Sequence, residues 1–586
     1  MLLQNHIKKE NYPIQISGLL FFGFQLFLAV LYYKERMINT DNAFYSFKII
    51  QYGDYMTEGP RKIHWITQSL PLLALKLGCS IKTFLRLYSA SFVLLYYLAF
   101  LYVTLFLKNN KAGIVMLLSL CLCFRHVFYY PVAELQSGIV CCVMLWAYIS
   151  REEYYSLPLK RIATWFSLLI LFALCFICHP LTVFLVAFLL LMESAEDNKW
   201  KNPCLFIPML FVGLLYIVRF FFVQVSDYET NHLIGLNTIL GVDIYKLLHE
   251  PSTQYIINFI STQLKTALLL MAITIALLIY LKRWAVLVLH ILFSFGFFVL
   301  VVIYFQKGDS PLFLQSYFVA HGFFIALPLI SSVKNKTRET RSLFIVSPFI
   351  LFSLFSIYQC KSVLTKKIQY ISRMTEYGKS FPEKRYLLED KNYLWQVAWT
   401  RWTFPFETFL YSAMQNPDSA VTYFVSDNLS KYDSLMQDKT VFLGPEWDAY
   451  MFNYPANKLN KKYFRLPDLG YRKINTAQTD SIVMDSLLNN QAVKLYPLME
   501  SIKSDMDLFV IMPFVIENKS GKIIPSFRET ANSISLSYHI YDVDGKQMIW
   551  DGYRTPFDVD IDKKFTPVSY THLRAHETKA NLVCRL

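Results

Sequence analysis

Residues 16–33, ISGLLFFGFQLFLAVLYY, form a run of eighteen residues without a charged side chain. Such a run is typical of a helix that crosses a bilayer, because about 20 apolar residues span the hydrocarbon core. Lys8 and Lys9 precede the run, charged residues 34–36 follow it, and no signal-peptide cleavage site is evident. The run therefore predicts an uncleaved first membrane span.

Ten more apolar runs follow, and hydrophobic residues make up 54% of the 586-residue chain. The runs cover residues 87–107, 112–130, 133–149, 162–178, 180–192, 204–223, 266–281, 285–305, 312–330 and 343–358. Together they predict a polytopic α-helical membrane protein of about 11 spans. Two of the runs meet at His179-Pro180, which predicts a helical hairpin there.

Basic residues in the short loops between the runs alternate strongly from one side to the other. Fifteen fall on one side: Lys8, Lys9, Lys108, Lys111, Arg151, Lys160, Arg161, Lys199, Lys201, Lys282, Arg283, Lys334, Lys336, Arg338 and Arg341. The other side carries only Arg125 and Lys307 in short loops. Since positively charged loops stay in the cytoplasm, we expect a bacterial inner-membrane protein with a cytoplasmic N-terminus and a periplasmic region after Tyr358.

The same placement excludes two other classes of protein. The formal charge of +14 could suggest a nucleic-acid partner, but many basic residues sit in loops where positive charge orients membrane helices. Eight of the ten cysteines, from Cys79 to Cys204, lie in or beside the apolar part. We therefore expect neither nucleic-acid binding nor a secreted disulfide scaffold.

After Tyr358 the composition becomes that of a soluble protein, and it changes again near residue 491. Residues 359–490 predict a periplasmic helical or mixed α/β region, in which Trp395, Trp399 and Trp402 share one helix face. This tryptophan stripe suits membrane-facing or core packing, or stacking on sugar rings. From residue 491 the alternation favours strands: LFVIMPFVIEN, SISLSYHIYD and, after an Asp-Gly turn, KQMIW as a hairpin.

The first long loop contains TDNAFY (40–45), GPRKIHW (59–65) and LPLLALKL (70–77), and a second acidic junction contains FYYPVAELQSG (128–138). This arrangement over residues 1–358 resembles membrane glycosyltransferases of the GT-C fold, which use lipid-phosphate sugars. In such enzymes the acid of the first loop lies in the active site. The resemblance therefore implies Asp41 as the catalytic acid residue, and by position Glu134 as its partner.

Displacement of a polyprenyl phosphate from a sugar needs a carboxylate near the acceptor hydroxyl and cations near the leaving phosphate. Asp41 is the candidate base and Glu134 assists it. The candidate partners for substrate or phosphate, all expected on the outer face, are Arg61, Lys62, His64, Arg125, His126, His179 and Lys307.

Each of these residues also has an ordinary structural interpretation. Asp41 could cap a helix beginning near Asn42, and Glu134 could complement the dipole of the helix it begins. Arg125 and His126 could anchor a helix end at the membrane interface. His179 could mark the end of the predicted hairpin.

The sequence implies no obligatory cofactor. TDN offers one carboxylate where metal-dependent GT-C enzymes use paired acids, so we expect no required metal, although a divalent cation is compatible. CFICH (175–179) matches the haem-attachment pattern, but its cysteines lie in an apolar run without an evident second axial ligand. No nucleotide-binding loop and no zinc motif occurs in the sequence.

Residues 491–566 resemble a truncated bacterial β-sandwich of the immunoglobulin type, through VIENKSGKIIPS and the DGYRTP hairpin. Residues 567–586, PVSYTHLRAHETKANLVCRL, resemble the translation of a sequencing adapter. We therefore expect this last segment to be a non-native tail without strands continuous with the sandwich.

The expected function is transfer of a sugar from a polyprenyl-phosphate donor to a surface glycan, lipid or protein acceptor. The expected partners are the lipid-linked sugar, that acceptor and the bilayer. The alternative is a non-catalytic transporter or assembly factor for surface polysaccharide, with an outer domain that binds glycan. A transporter should carry ionisable residues at mid-membrane, often in broken helices.

Overall fold

The structure is a computed structural model. It describes residues 12–57, 61–151, 162–222, 249, 251–304, 311–333, 336–389, 401–426, 428–436, 438–444, 453–474, 493–497, 510–518, 535–542, 547–549, 555–556, 570–573 and 580–585. Helices dominate the first 379 residues, as the apolar runs predict. Within the described residues, strands are confined to the region after residue 384.

Sixteen α-helices lie in the described residues. They are α1 (Tyr12–Leu31), α2 (Tyr33–Met37), α3 (Thr40–Tyr52), α4 (His64–Lys76), α5 (Ile81–Leu101), α6 (Asn110–Ser119), α7 (Glu134–Ile149), α8 (Ile162–Phe176), α9 (Thr182–Ala195), α10 (Pro203–Phe222), α11 (Pro251–Gln263), α12 (Lys265–Tyr280), α13 (Trp284–Tyr304), α14 (Pro311–Ser331), α15 (Lys336–Lys379) and α16 (Phe404–Ala413). A π-helical turn, Tyr102–Phe106, extends α5.

Four helical stretches in the described residues are long and apolar enough to cross a membrane: Pro13–Leu31, Ile81–Phe106, Trp284–Ile303 and Arg341–Lys379. The stretches Thr253–Gln263 and Lys265–Tyr280 meet at 84° and make a fifth if they count as one broken span. The expectation of eleven spans is therefore not confirmed. The reason is length, since α9 with 14 residues rises only about 21 Å against about 30 Å of hydrocarbon.

The predicted span 112–130 is a helix only as far as Ser119. Asn109 caps α6 by accepting a hydrogen bond from the Ala112 amide at 3.0 Å, and a left-handed residue, Cys123 with φ 56°, lies in the turns that follow. A Cβ at Gly322 of α14 would lie 3.0 Å from the Leu122 carbonyl oxygen, so α14 approaches these turns closely. Since its residues from Ala112 onward are buried, α6 is a core helix of the bundle.

The predicted hairpin at His179-Pro180 is confirmed, because the chain turns between α8 and α9 at these residues. The amide of Leu181 donates to Nδ1 of His179 at 3.2 Å within this turn. Helix α15 runs without a break through residue 358, the expected domain boundary. The last membrane helix therefore leads directly into the region that follows.

Residues 385–474 contain a small parallel sheet of three strands in the order β2 (Thr422–Ser426), β1 (Arg385–Glu389) and β5 (Arg472–Ile474), and a hairpin of β3 (Val441–Leu443) with β4 (Asn453–Pro455). Helix α16 lies between β1 and β2 in the chain, which makes a βαβ unit. Tyr386 and Tyr423 are register partners, with ring centroids 4.7 Å apart. Trp395 and Trp399 of the predicted stripe lie outside the described residues, whereas Trp402 packs against Phe44 at 5.7 Å.

We call the strands and helix α16 within residues 385–474 the sheet unit. The sheet unit shares one hydrophobic core with helices α3, α5 and α15. The core joins Phe47 of α3, Phe84 of α5, Ile371 of α15 and Phe409 of α16. A separate, larger core lies among the bundle helices. We call the end of the bundle on which residues 385–474 pack the covered end.

The last strands are β6 (Val493–Pro497), β7 (Val510–Asn518), β8 (Ser535–Asp542), β9 (Gln547–Ile549), β10 (Thr555–Pro556), β11 (Tyr570–Leu573) and β12 (Ala580–Arg585). The predicted strands β7 and β8 and the hairpin of β8 with β9 are confirmed. The expectation that residues 567–586 form no continuous strand is wrong, because β11 pairs with β7 and β12 with β8. Backbone pairing is open to any chain segment with free amide and carbonyl groups, so the origin of the tail stays a prediction.

Candidate functional site at the covered end

Asn42, in the motif TDN, connects the two acidic segments that the sequence singles out. Its side-chain amide donates to the Arg36 carbonyl at 2.6 Å and to the Tyr129 carbonyl at 3.3 Å. Its side-chain oxygen accepts from the Val132 amide at 3.4 Å. The start of α3 and the segment FYYPVAE are therefore held side by side at the covered end.

Asp41 lies in the first turn of α3, and the Tyr130 hydroxyl donates a hydrogen bond to its Oδ2. The helix begins at Thr40 with Asn39 at the N-cap position, so the alternative that Asp41 caps a helix beginning near Asn42 is wrong. Asp41 as a residue is partly buried, and its Oδ1 atom is enclosed. A carboxylate that accepts a hydrogen bond from a phenol stays deprotonated and can take a proton from a substrate hydroxyl.

Glu134 begins α7 and is almost fully buried between two basic side chains. Its Oε2 lies 3.4 Å from Nη1 of Arg61, and its Oε1 lies 3.6 Å from Nε2 of His64. The His64 ring also contacts the Val132 carbonyl at 3.0 Å. Since Arg61 and His64 already contact this carboxylate from two sides, Glu134 is better suited to hold these two side chains than to act as a base.

The turn between α8 and α9 completes this group. The Ile63 amide donates to the Ile177 carbonyl at 3.3 Å, which places the turn that contains His179 beside the neighbour of His64. We call Asp41, Asn42, Arg61, His64, Tyr130, Glu134 and His179 the junction site. The structure thus brings together both predicted acids and three of the seven predicted phosphate partners.

The other four predicted partners have different outcomes. Lys62 lies next in the chain to Arg61, donates to Thr57 at 3.1 Å and lies over the Trp65 ring. Arg125 donates to Gln263 of α11 at 2.6 Å and to the Cys360 thiol of α15 at 3.2 Å. His126 is partly buried just before the turn at Val127–Tyr129. Lys307 lies outside the described residues.

An apolar cavity of about 240 Å³ has chain neighbours of junction-site residues in its wall. Its wall includes Ile63, between Arg61 and His64, and Ser137, one helical turn after Glu134. The rest of the lining comes from α4, α5, α7 and α8: Ile66, Leu95, Tyr96, Leu98, Ala99, Tyr102, Val140, Cys141, Met144 and Leu174. The helices that line the cavity thus include α4 and α7, which begin with His64 and Glu134.

Sequence reasoning missed several residues that shape this end of the bundle. Tyr130 lies inside the quoted junction motif and its neighbour Pro131 signals a turn, so position alone could have suggested it. In the sequence, Arg36 looks like an ordinary charged loop residue. In the structure it is fully buried. For Lys367 and Glu407, described below, no sequence signal existed, because they are 40 residues apart in the chain.

In the part of the chain that the structure describes, no group of three or more His, Cys, Asp or Glu side chains could hold a metal ion. The fold is mostly helical, with four described helices that could cross a membrane and a small parallel sheet on one end of the bundle. In comparisons with known proteins, the chain matches no family model, no curated protein and no solved structure.

Proposed function

We propose that the chain is a membrane glycosyltransferase of the GT-C type, which moves a sugar from a polyprenyl-phosphate donor to a cell-surface glycan, lipid or protein. The observation that carries this proposal is that the wall of the apolar cavity includes Ile63 and Ser137, which are close chain neighbours of Arg61, His64 and Glu134. A polyprenyl phosphate has an apolar tail joined to an anionic head. The apolar cavity suits the tail, and the basic side chains of Arg61 and His64 suit the head.

In the proposed reaction the acceptor hydroxyl attacks the anomeric carbon of the sugar. Its proton passes to the Asp41 carboxylate, the bond between the anomeric carbon and the phosphate oxygen breaks, and the phosphate leaves with the electron pair. Arg61 and His64 stabilise the charge on the leaving phosphate, and Glu134 keeps both in place. Lys62 and His179 add positive charge to the same site, and Arg125, His126 and Lys307 stay as candidates for the donor head group.

The proposal includes the finer architecture. Eleven apolar segments would cross or enter the bacterial inner membrane, residues 359–490 and the sandwich of residues 491–566 would be periplasmic, and the junction site would face the periplasm. The asymmetry of fifteen basic residues against two in the short loops supports this orientation.

The test is transfer of a labelled sugar from polyprenyl phosphate in membranes that contain the protein. Asp41→Asn removes the proton acceptor but keeps the size, so we expect turnover to fall by about 10² or more at unchanged protein level. Asp54→Asn, at an exposed position in the same loop, is the matched control and should keep wild-type turnover. Wild-type turnover in Asp41→Asn would contradict the catalytic role, and absence of transfer by the wild type from every donor sugar would contradict the proposed function.

A second candidate, a polysaccharide transporter or assembly factor, is favoured by two features of the helices. His290 of α13 and His321 of α14 lie inside apolar helices, with ring nitrogens 3.0 Å from the Phe324 carbonyl and 3.1 Å from the Ser294 carbonyl. The 84° break between α11 and α12 is the second feature. Ionisable residues within the membrane and broken helices are typical of transporters.

Two variants distinguish the glycosyltransferase from the transporter. In an enzyme, His290→Gln/His321→Gln should keep most of the sugar transfer that Asp41→Asn loses. In a transporter, the histidine variant should lose glycan movement across the membrane, whereas Asp41→Asn should keep it.

A further inference from the structure

Glu407, on helix α16 of the sheet unit, reaches the start of α3. Its Oε1 accepts three hydrogen bonds: from the Thr40 amide at 2.7 Å, from Nζ of Lys367 at 2.8 Å and from the Thr403 hydroxyl at 2.9 Å. The Thr40 amide is 367 residues away in the chain. A side chain of the sheet unit therefore binds the backbone directly before Asp41.

The bond to Thr40 replaces a helix cap that α3 lacks. An N-terminal helical amide has no partner inside its helix and is ordinarily satisfied by the side chain of the N-cap residue. Here the side chain of the N-cap residue Asn39 makes no capping bond, because its oxygen accepts instead from Nζ of Lys367 at 2.8 Å. Glu407 thus supplies the capping acceptor from a different element, and its negative charge suits the positive end of the helix dipole.

Thr40 itself has an unfavourable backbone conformation. Its φ of 46° lies in the left-handed region, which is strained for a β-branched residue and persists only where surrounding contacts hold it. The hydrogen bond from its amide to Glu407 is such a contact. Release of this bond should let the backbone relax, and Asp41 is the next residue.

The ion pair behind this contact is shielded from water. The side chains of Lys367 and Glu407 are 2% and 0% exposed, at the junction of α15, α16 and α3. The two side chains of such a buried ion pair stay in contact, because a charge that moves away from its partner would be buried without an opposite charge beside it. The position of the Glu407 carboxylate is therefore well defined.

We infer that Glu407 is a positioning residue, which holds Thr40 through its amide and so fixes the direction of Asp41 toward Tyr130 and the junction site. Lys367 keeps the carboxylate in place. This inference rests on the proposed function, in which Asp41 accepts the proton. It means that the sheet unit is required for turnover without contacting substrate.

The test uses two double variants of the full chain. They differ in whether residue 407 can accept a hydrogen bond from the Thr40 amide. Lys367→Met/Glu407→Gln removes both charges but keeps an oxygen that can accept from the Thr40 amide. Lys367→Met/Glu407→Leu removes both charges and the acceptor at similar side-chain volume. Removal of both partners avoids an uncompensated buried charge, so both proteins should fold.

Two readouts are compared in detergent or nanodiscs. Amide hydrogen exchange is measured on the peptide covering residues 38–46, and kcat and KM are measured for sugar transfer from polyprenyl phosphate. In the Leu variant we expect faster exchange in this peptide and a kcat lower by about 10- to 100-fold at nearly unchanged donor KM, since the reacting group is displaced. In the Gln variant both quantities should return close to wild type, and Glu376→Gln, at an exposed ion pair of α15, should change neither.

Equal exchange in the Gln and Leu variants would overturn the contact between Glu407 and Thr40. Different exchange with equal kcat would overturn the positioning role. If the wild type transfers no sugar, the proposed function and the positioning role both fail, whereas the exchange comparison still decides whether Glu407 caps α3.

Discussion

At the scale of single residues, Arg36 shows how a charge can be hidden inside a membrane-associated bundle. Its guanidinium donates to Oγ of Ser89 at 2.9 Å, to the Ser89 carbonyl at 3.2 Å and to the Phe128 carbonyl. These partners in the described part of the chain are uncharged. Burial accordingly lowers the pKa of Arg36 to about 9, so the side chain stays cationic at neutral pH.

Arg36→Met should destabilise the protein by about 2–4 kcal/mol, because two buried carbonyl groups would lose their hydrogen bonds. Arg86→Met is the control, since Arg86 is exposed and lies 5.0 Å over the Tyr33 ring, an interaction worth about 0.5–1 kcal/mol. Thermal unfolding in detergent measures both. Equal melting temperatures for the two variants would contradict a structural role for Arg36.

Arg61 and Glu134 form a pair that is largely withdrawn from solvent, with side chains 13% and 7% exposed. Arg61→Ala should cost about 3 kcal/mol, because Glu134 would keep a buried charge with less compensation. Adding Glu134→Gln should recover part of this loss, which a double-mutant cycle of unfolding free energies detects. Additive losses would show that the two side chains do not stabilise each other.

At the scale of elements, the beginnings of α7 and α9 approach closely beside the junction site. A Cβ on Gly138 would lie 2.5 Å from Oγ1 of Thr182 and 3.2 Å from its Cγ2, so rotation of the threonine offers no relief. The absence of a side chain at Gly138 therefore permits the close approach of the beginnings of α7 and α9.

Gly138→Ala should destabilise the protein by about 1–3 kcal/mol through overpacking. The control is Gly296→Ala in α13, where a Cβ would meet nothing within 4 Å. Because alanine favours a helix over glycine, this control should be neutral or slightly stabilising. A melting temperature for Gly138→Ala equal to that of the control would contradict the close approach.

The cavity between α4, α5, α7 and α8 provides a chemical reporter, because Cys141 lines it. If the lipid tail occupies the cavity, polyprenyl phosphate at about ten times its Kd should slow alkylation of Cys141 by a small maleimide about tenfold. Cys79, which is partly exposed and outside the lining, is the internal control. Equal protection of both thiols, or of neither, would count against lipid in the cavity.

At the scale of the whole molecule, the loop charges predict which side of the membrane each end of the bundle faces. A reporter that is active only in the cytoplasm, fused after Asn392, should stay silent, since the region after Tyr358 is expected outside. The same reporter fused after Lys201, in a loop expected inside, should be active. Activity after Asn392 would reverse the orientation of the junction site.

The sequence allowed prediction of those features that depend on local composition. Long apolar runs predicted the helices. In a bilayer, the backbone amide and carbonyl groups of an apolar segment must form their hydrogen bonds within that segment. Alternating residues and an Asp-Gly turn likewise predicted β7, β8 and β9. The number of spans is not confirmed, because apolar helices such as α6 and α9 are buried or short, and composition does not distinguish a core helix from a lipid-facing one.

The two acidic motifs were recognisable in the sequence because their position after apolar runs resembles that of the acidic motifs in GT-C enzymes. Their meeting at Asn42 and Val132, the compensation of Glu134 by Arg61, and the cap that Glu407 supplies to α3 depend on segments 73 to 367 residues apart. Contacts between residues so far apart in the chain form only when the helices pack. The packing then decides which side chains lie close enough to bind each other. The chemistry of these residues could therefore be recognised from the sequence, whereas tertiary packing decided which of them pair with one another.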